Sequence, residues 1–357
     1  MPSDGSAGRV THTGWRGAAL AEGTLDERDW TSPVVELPFA ATELIPSWNA
    51  DTPAGSWVEV FLRVCSASDR SDWSPWFELG RWARDLPADD AAVPARTSVP
   101  GQRTAYGVVE VDTLLAGERG GFTAWQLRVR RHGEASLRYA ATVASAGSPA
   151  ASVTASRPGR AAGTLLDVPP LSQQLHRGHY PQWDGGGASW CAATSLAMVL
   201  RFHRRGPSEQ DLAWVEHPHD RDDRDVDHAA RGTFDAAYGG CGNWAFGAAY
   251  AGSFGLDAFL TRLRDLTEAE ALLAQGLPLV ASVRHGEGEL TGAGYTTAGH
   301  LLVITGITAE GDVACNDPAS HGVPDNAQVP VVYDRAEFER AWLLGSGGLV
   351  YVVAPPD

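Results

Sequence analysis

Between Trp30 and about Val143 the chain never sustains a helical period. Short runs alternate apolar and polar residues, as in Ser56-Trp57-Val58-Glu59-Val60-Phe61-Leu62-Arg63-Val64, Thr104-Ala105-Tyr106-Gly107-Val108-Val109-Glu110-Val111 and Ala124-Trp125-Gln126-Leu127-Arg128-Val129-Arg130, with Pro, Gly, Asp and Ser between them. Alternation at period two presents one apolar face to a core. Evenly spaced strands of this kind, with turn signals and no convincing helix, specify a β-sandwich or jelly roll over residues 26–145. Residues 1–25, rich in Gly, Ala, Ser and Thr, read as a flexible arm. Residues 146–163, dominated by Ala, Ser, Gly and Pro, read as a linker. A chain of 357 residues then has room for a second domain from about residue 164.

Eight of the thirteen tryptophans lie in the first half: Trp15, Trp30, Trp48, Trp57, Trp73, Trp76, Trp82 and Trp125. Trp57 and Trp125 sit in alternating strands and read as core, where large aromatics dominate the energetics. Trp73, Trp76 and Trp82 lie in a polar, turn-rich stretch with Arg81 and are the candidates for stacking on sugar rings. That role would make the sandwich a carbohydrate-binding module for cell-wall glycan; the bland alternative is that these rings also fill the core.

The formal charge of −16 argues against nucleic-acid and anionic-membrane partners, because it would repel phosphate. No apolar run is long enough to span a bilayer. Charge is uneven, with a net −3 over residues 1–160 and −13 over residues 161–357, so the second half should tolerate cationic substrates better than anionic ones. The chain has no lysine, which excludes Schiff-base and Ser-Lys chemistry. The four cysteines, Cys65, Cys191, Cys241 and Cys315, are too few for a disulfide scaffold, although Cys241 and Cys315 could pair. The first 30 residues lack a cationic start and an apolar core, so the chain reads either as cytoplasmic or as the mature form of an exported protein.

The run Glu216-His217-Pro218-His219-Asp220-Arg221-Asp222-Asp223-Arg224-Asp225-Val226-Asp227-His228 mixes metal-ligating residue types. Its spacing fits neither an EF-hand nor a zinc motif, and its arginines would repel a cation. It reads as a solvated loop leading into a helix, and no metal or other cofactor is assigned.

Chemistry concentrates at Gly187-Ala188-Ser189-Trp190-Cys191-Ala192-Ala193-Thr194-Ser195-Leu196, which puts a cysteine at the start of a helix behind a glycine run. Peptide N–H groups at a helix N-terminus lack intrahelical partners and favour a thiolate. Taken alone, Cys191 reads more readily as a small buried hydrophobe. The chain also supplies a base. Gly299-His300-Leu301-Leu302-Val303-Ile304-Thr305-Gly306-Ile307 reads as a buried strand opening on a histidine, and Val313-Ala314-Cys315-Asn316 reads as its hairpin partner, ending at Asp317-Pro318. With Glu310-Gly311 as a two-residue loop, Asp317 pairs with Ile304 and shares a face with His300. An odd loop or a bulge would reverse the parity and bring Asn316 onto that face. A thiol nucleophile needs an imidazole to move its proton, and the imidazole needs an acceptor that fixes its tautomer. Cys191, His300 and Asp317 are the residue types for those three roles.

Together, Val168-Pro169-Pro170-Leu171-Ser172-Gln173, the Trp190-Cys191 helix, Gly299-His300-Leu301-Leu302-Val303-Ile304 and Asn316-Asp317-Pro318-Ala319 resemble cysteine peptidase family thirty-nine. This is the papain-like group that includes bacteriocin-leader peptidases. The resemblance covers residues 165–355 and is nearest to a stand-alone, actinobacterial-type branch without a transporter. It implies an α+β papain-like cysteine peptidase domain over residues 164–357, a peptide or protein substrate, and export. It also implies that a glutamine upstream of the cysteine donates to the oxyanion, a role that falls on Gln173 with Gln174 and Gln182 as competitors. The chain departs from the family in having Ala192 where a glycine usually follows the cysteine, and in the long gap from Gln173 to Cys191. The same triad could act on peptidoglycan or isopeptide amides, and a non-catalytic binding protein on a peptidase scaffold is the third reading.

Overall fold

The computed structural model describes residues 9–66, 69–85, 96–147, 153–216 and 223–356. Its first half is a sandwich of two antiparallel sheets. One has five strands in the spatial order Arg9–Arg16, Ser136–Ala146, Glu43–Asp51, Thr113–Ala116, Gly107–Glu110. The other has eight strands and is centred on Phe122–His132 and Trp57–Ser66. Alternation works as the sequence implies: Val58, Val60, Leu62 and Val64 are buried, and the residues between them are partly exposed.

The predicted arm is structure from Arg9 onward. Arg9–Arg16 pairs along its whole length with Ser136–Ala146. Trp15 is 4% exposed, with its ring edge-on to Trp30 and Trp125 at 5.6 and 5.9 Å. Burying one indole fixes a strand whose other residues carry little apolar signal. Residues 1–8 of that arm lie outside the described residues. Two other tryptophan readings change. Trp82 is fully buried, so it cannot stack on a sugar, while Trp57 faces outward and stacks on His132 at 4.5 Å. The Trp73 and Trp76 rings both pack against the Arg63 guanidinium, and Arg128 lies 4.0 Å from the Trp76 centroid.

The second half is mixed α+β. Helices α1 (Cys191–Phe202), α2 (Arg224–Thr233), α3 (Trp244–Gly252), α4 (Leu266–Leu273) and α5 (Arg335–Ser346) surround a six-stranded antiparallel sheet. Its spatial order is Asp257–Arg262, Leu349–Ala354, Leu279–His285, Thr297–Ile307, Val313–Asn316, Pro330–Tyr333. Leu301, Val303, Val280 and Tyr351 share a core with α1 and α3, while Leu302, Ile304, Ala281 and Val352 pack with α4 and α5. The architecture is a β-sandwich followed by a papain-like α+β domain.

The two halves share one apolar core. The edge strand Asp257–Arg262 is covered by sandwich side chains. Asn49 donates to the Ala258 carbonyl at 2.8 Å and accepts from its N–H at 3.0 Å, and the Ser47 hydroxyl accepts from the Leu260 N–H at 2.9 Å. An open strand edge invites pairing with other chains, and here side-chain amide and hydroxyl groups satisfy it. Helix α3, apolar on all sides and capped by Asn243, lies between the halves, with Trp48 edge-on to Phe246 at 6.1 Å. The described part of the predicted linker, residues 153–163, is strapped to the second half. Glu270 accepts from the N–H groups of Gly159 and Ala161, and Glu339 accepts from that of Ser156. Residues 148–152 lie outside the described residues.

Candidate active site

Cys191 is the first residue of α1, immediately after the 3-10 turn Gly187–Ser189. The glycine approach has a packing cause. A Cβ on Gly187 would lie 2.3 Å from the His176 carbonyl carbon and 2.6 Å from the Gln173 oxygen, so only glycine lets this turn press against the turn Gln173–His176. Gly186 adopts φ 96°, which disfavours any side chain. Burial opposes ionisation of the Cys191 thiol. The charge and hydrogen bond of His300, with the backbone N–H groups of Leu301 and Ala192, outweigh burial and hold the thiol below its ordinary value.

His300 opens the buried part of its strand. Its Nε2 lies 2.9 Å from Asp317 Oδ1, which leaves Nδ1 for the thiol. Burial favours the neutral ring, yet Asp317 and Cys191 together push His300 well above the usual imidazole range. Asp317 is 0% exposed. Burial alone would protonate it, but His300 and the hydroxyls of Tyr295 and Tyr333, both 2.6 Å from Oδ2, keep it ionised. The Ala319 N–H adds a fourth donor, at 2.9 Å from Oδ1. Tyr295 also lies edge-on to the His300 ring at 5.3 Å and screens the pair from solvent.

The hairpin that carries these two residues differs from the expected one. Ile307 pairs with Val313 and the Thr308 N–H donates to the Asp312 carbonyl at 2.9 Å, closing a three-residue loop, and a bulge beyond Ile304 then moves the register so that Val303 pairs with Asn316. Each change reverses the parity, and together they restore it. One residue further on, Asp317 falls opposite Leu302, not Ile304, and shares the face of His300. Asn316 points elsewhere and donates to the Val168 carbonyl at 2.8 Å.

Gln173 lines the same cleft as Cys191 and His300. Its side-chain N–H donates to the Ala188 carbonyl at 2.6 Å, and its backbone N–H donates to the Pro318 carbonyl at 3.0 Å, beside Asp317. A side-chain amide has two N–H donors, so one remains for the cleft. Gln174 also lines the cleft but accepts from Arg177, and Gln182 is exposed away from it. The cleft has a volume of about 1400 Å³ and is walled on one side by the sandwich, through Glu43, Glu110, Val111, Asp112 and Thr113. That exceeds a typical small-molecule pocket and suits a polymer.

The His- and Asp-rich run is not simply a solvated loop. Residues 217–222 lie outside the described residues, but Asp223, Asp225, Asp227 and His228 are buried at the start of α2. Asp227 accepts from Nδ1 of both His176 and His179 at 2.9 Å, and Asp223 lies 3.7 Å from the other nitrogen of His176. His176, His179 and Asp227 each offer an atom within 4.8 Å of the others, the grouping best suited to a cation among the described residues. Both Asp227 oxygens already hold imidazole N–H groups, so a cation would displace those bonds. Cys241 and Cys315 are both buried free thiols, so they do not pair with each other. Sequence reasoning missed Tyr295, Tyr333, His176 and Asp227. The tyrosines carry no local signal, one lying in a glycine-rich loop and the other in an ordinary β run.

Residues 165–348, just over half of the chain, match the family model described as Peptidase_C39 like family. The chain belongs to the peptidase C39-like family. A second model, described as a peptidase C39 N-terminal domain, matches residues 6–151 of this C39-like chain. Among solved structures, a C39-like peptidase from Bacillus anthracis is 20% identical; the match spans 54% of this chain and 98% of that one, with a TM-score of 0.33. No curated protein matches.

Proposed function

We propose that this C39-like chain is a cysteine peptidase that hydrolyses peptide bonds through Cys191, His300 and Asp317, with Gln173 as the oxyanion donor. The observation that carries the reading is the His300–Asp317 pair at 2.9 Å, with Cys191 and His300 lining one open cleft. The thiolate attacks the scissile carbonyl carbon, a C–S bond forms, and the oxygen becomes an oxyanion held by the Gln173 amide and the Cys191 N–H. His300 gives its proton to the departing amine as the C–N bond breaks. Water then attacks the thioester, His300 takes the water proton, the C–S bond breaks and the thiolate returns. Asp317 keeps the ring oriented throughout.

The match to the N-terminal model supports the narrower reading of a stand-alone, actinobacterial-type branch. The sandwich tryptophans are engaged within the protein, which favours a peptide over a wall-bound amide as substrate. Substoichiometric iodoacetamide followed by peptide mapping tests the nucleophile. Label on Cys191 with parallel loss of peptide hydrolysis is the expected result, because burial pushes the Cys241 and Cys315 thiols up. Label on Cys65 or Cys241 with activity intact would refute the assignment.

A further inference from the structure

One tight turn of the sandwich reaches the cleft. Gly107–Glu110 pairs with Thr113–Ala116, leaving Val111-Asp112 as a two-residue hairpin loop. Such turns place a residue at positive φ, normally Gly, Asn or Asp. Here the position is held by Val111 at φ 55°. A β-branched residue in the left-handed region is a steric outlier, and local strain of this kind persists only where the surroundings hold it. They do so here. Asp112 is buried, with Oδ2 accepting the Trp244 N–H at the start of α3 at 2.6 Å and Oδ1 accepting the Thr113 hydroxyl at 2.9 Å. The turn tip is therefore pinned onto the catalytic half. A glycine at position 111 would relieve the strain, yet the chain places an isopropyl group there, in the wall of the cleft that contains Cys191. Across the catalytic half, Tyr238 and Trp244 line the same cleft. Tyr238 is 51% exposed and sits in the glycine-rich segment Tyr238–Gly242, which gives its ring room to cover a ligand.

We propose that Val111, Tyr238 and Trp244 form a substrate subsite, shared between the two halves of the chain, that takes a bulky apolar side chain of the peptide close to the scissile bond. The proposal rests on Cys191 as the nucleophile. It makes the sandwich a specificity element of the peptidase. The strained Val111 is the cost of placing an apolar wall at the end of a turn short enough to be anchored by Asp112.

The test is the rate at which peptidyl acyloxymethyl ketones alkylate Cys191 in the full chain. The probes carry Leu, Phe, Gly or Asp in turn at each of the three positions nearest the warhead. Wild type should react about tenfold or more faster with Leu or Phe than with Gly or Asp at one of these positions. Val111→Asp and Tyr238→Ala should each erase that preference while plain iodoacetamide, too small to need the subsite, still labels Cys191. Val111→Gly, which removes strain, should be at least as resistant to urea as wild type and still lose selectivity. Equal rates across all probes, or selectivity unchanged in all three variants, overturn the subsite. Selective labelling in a protein that hydrolyses no peptide would uphold the subsite and sink the peptidase reading. A Cys191 that no reagent alkylates would overturn both.

Discussion

Tyr295 and Tyr333, from different segments, donate their hydroxyls to the same oxygen of Asp317, each at 2.6 Å. The other oxygen receives His300. A buried carboxylate with this many donors stays ionised, and so supplies the charge that lets His300 hold a proton. Each hydroxyl is a hydrogen bond to a charged group, worth about 1.5–3 kcal/mol. Tyr295→Phe and Tyr333→Phe should each lower stability by about that amount in urea denaturation. Because they share one acceptor, the double variant should depart from the sum of the two. Strict additivity would mean the two bonds do not compete for Asp317.

The pH dependence follows from opposite shifts. The Cys191 thiol is held below its ordinary value of 9.0 and His300 is pushed above 6.5, to about 10. The thiolate–imidazolium pair therefore forms once pH exceeds the lowered thiol value, and is lost as pH rises through the raised imidazole value. Cys191 alkylation and peptide hydrolysis should share a broad plateau across neutrality. Asp317→Asn removes the largest favourable influence on His300, so the alkaline limb should move down toward neutral pH. An alkaline limb that stays in place would separate Asp317 from the titration of His300.

Gln173→Ala should lower kcat by about a hundredfold to a thousandfold with little change in KM, since the amide acts on an oxyanion absent from the ground state. Gln182→Ala, on an exposed turn, should leave both parameters at wild type. A large loss on Gln182→Ala would move the oxyanion role.

His176 is 1% exposed. Burial disfavours its charge, but Asp223 and Asp227 outweigh burial and raise it from 6.5 to about 9. A raised imidazole contributes stability that is full below pH 6.5 and fades as pH rises through 9, up to about 3 kcal/mol. Asp223, Asp227 and His179 are the groups facing it. The stability gap between wild type and His176→Gln, measured in urea at pH 6 and at pH 9.5, should therefore shrink. A gap independent of pH would mean the ring contributes packing alone.

Asn49→Ala removes both hydrogen bonds to the Ala258 peptide and leaves a buried strand edge unsatisfied, at a cost of about 1–3 kcal/mol. Asn49→Asp keeps the acceptor but loses the donor, so it should also destabilise. Wild-type stability in both variants would argue that the Asn49 bonds do not help to hold the halves together.

Much of the second half was legible because its signals are local. A cysteine at a helix start, a histidine opening a β run and an aspartate before proline announce themselves over a few residues each. The pairing of His300 with Asp317 was correct in parity although the assumed register was not: the three-residue loop and the bulge at Thr305 each shift it by one residue, and a total shift of two leaves the face unchanged. Alternation gave the sandwich for the same reason, since period two is written into adjacent residues. The Arg9–Arg16 strand escaped notice because its order comes from one indole packed on two others far away in the chain.

What the sequence by itself determined is the set of elements and the residue types competent for thiol chemistry, because helix starts, strand alternation and turns depend on near neighbours. Tertiary structure alone decided that Tyr295 and Tyr333 stabilise Asp317, that His176 and Asp227 brace the turn carrying Gln173, and that Val111 of the sandwich walls the cleft. Those contacts join residues with no local relation, and their energies depend on burial, which exists only once both halves close over a common core.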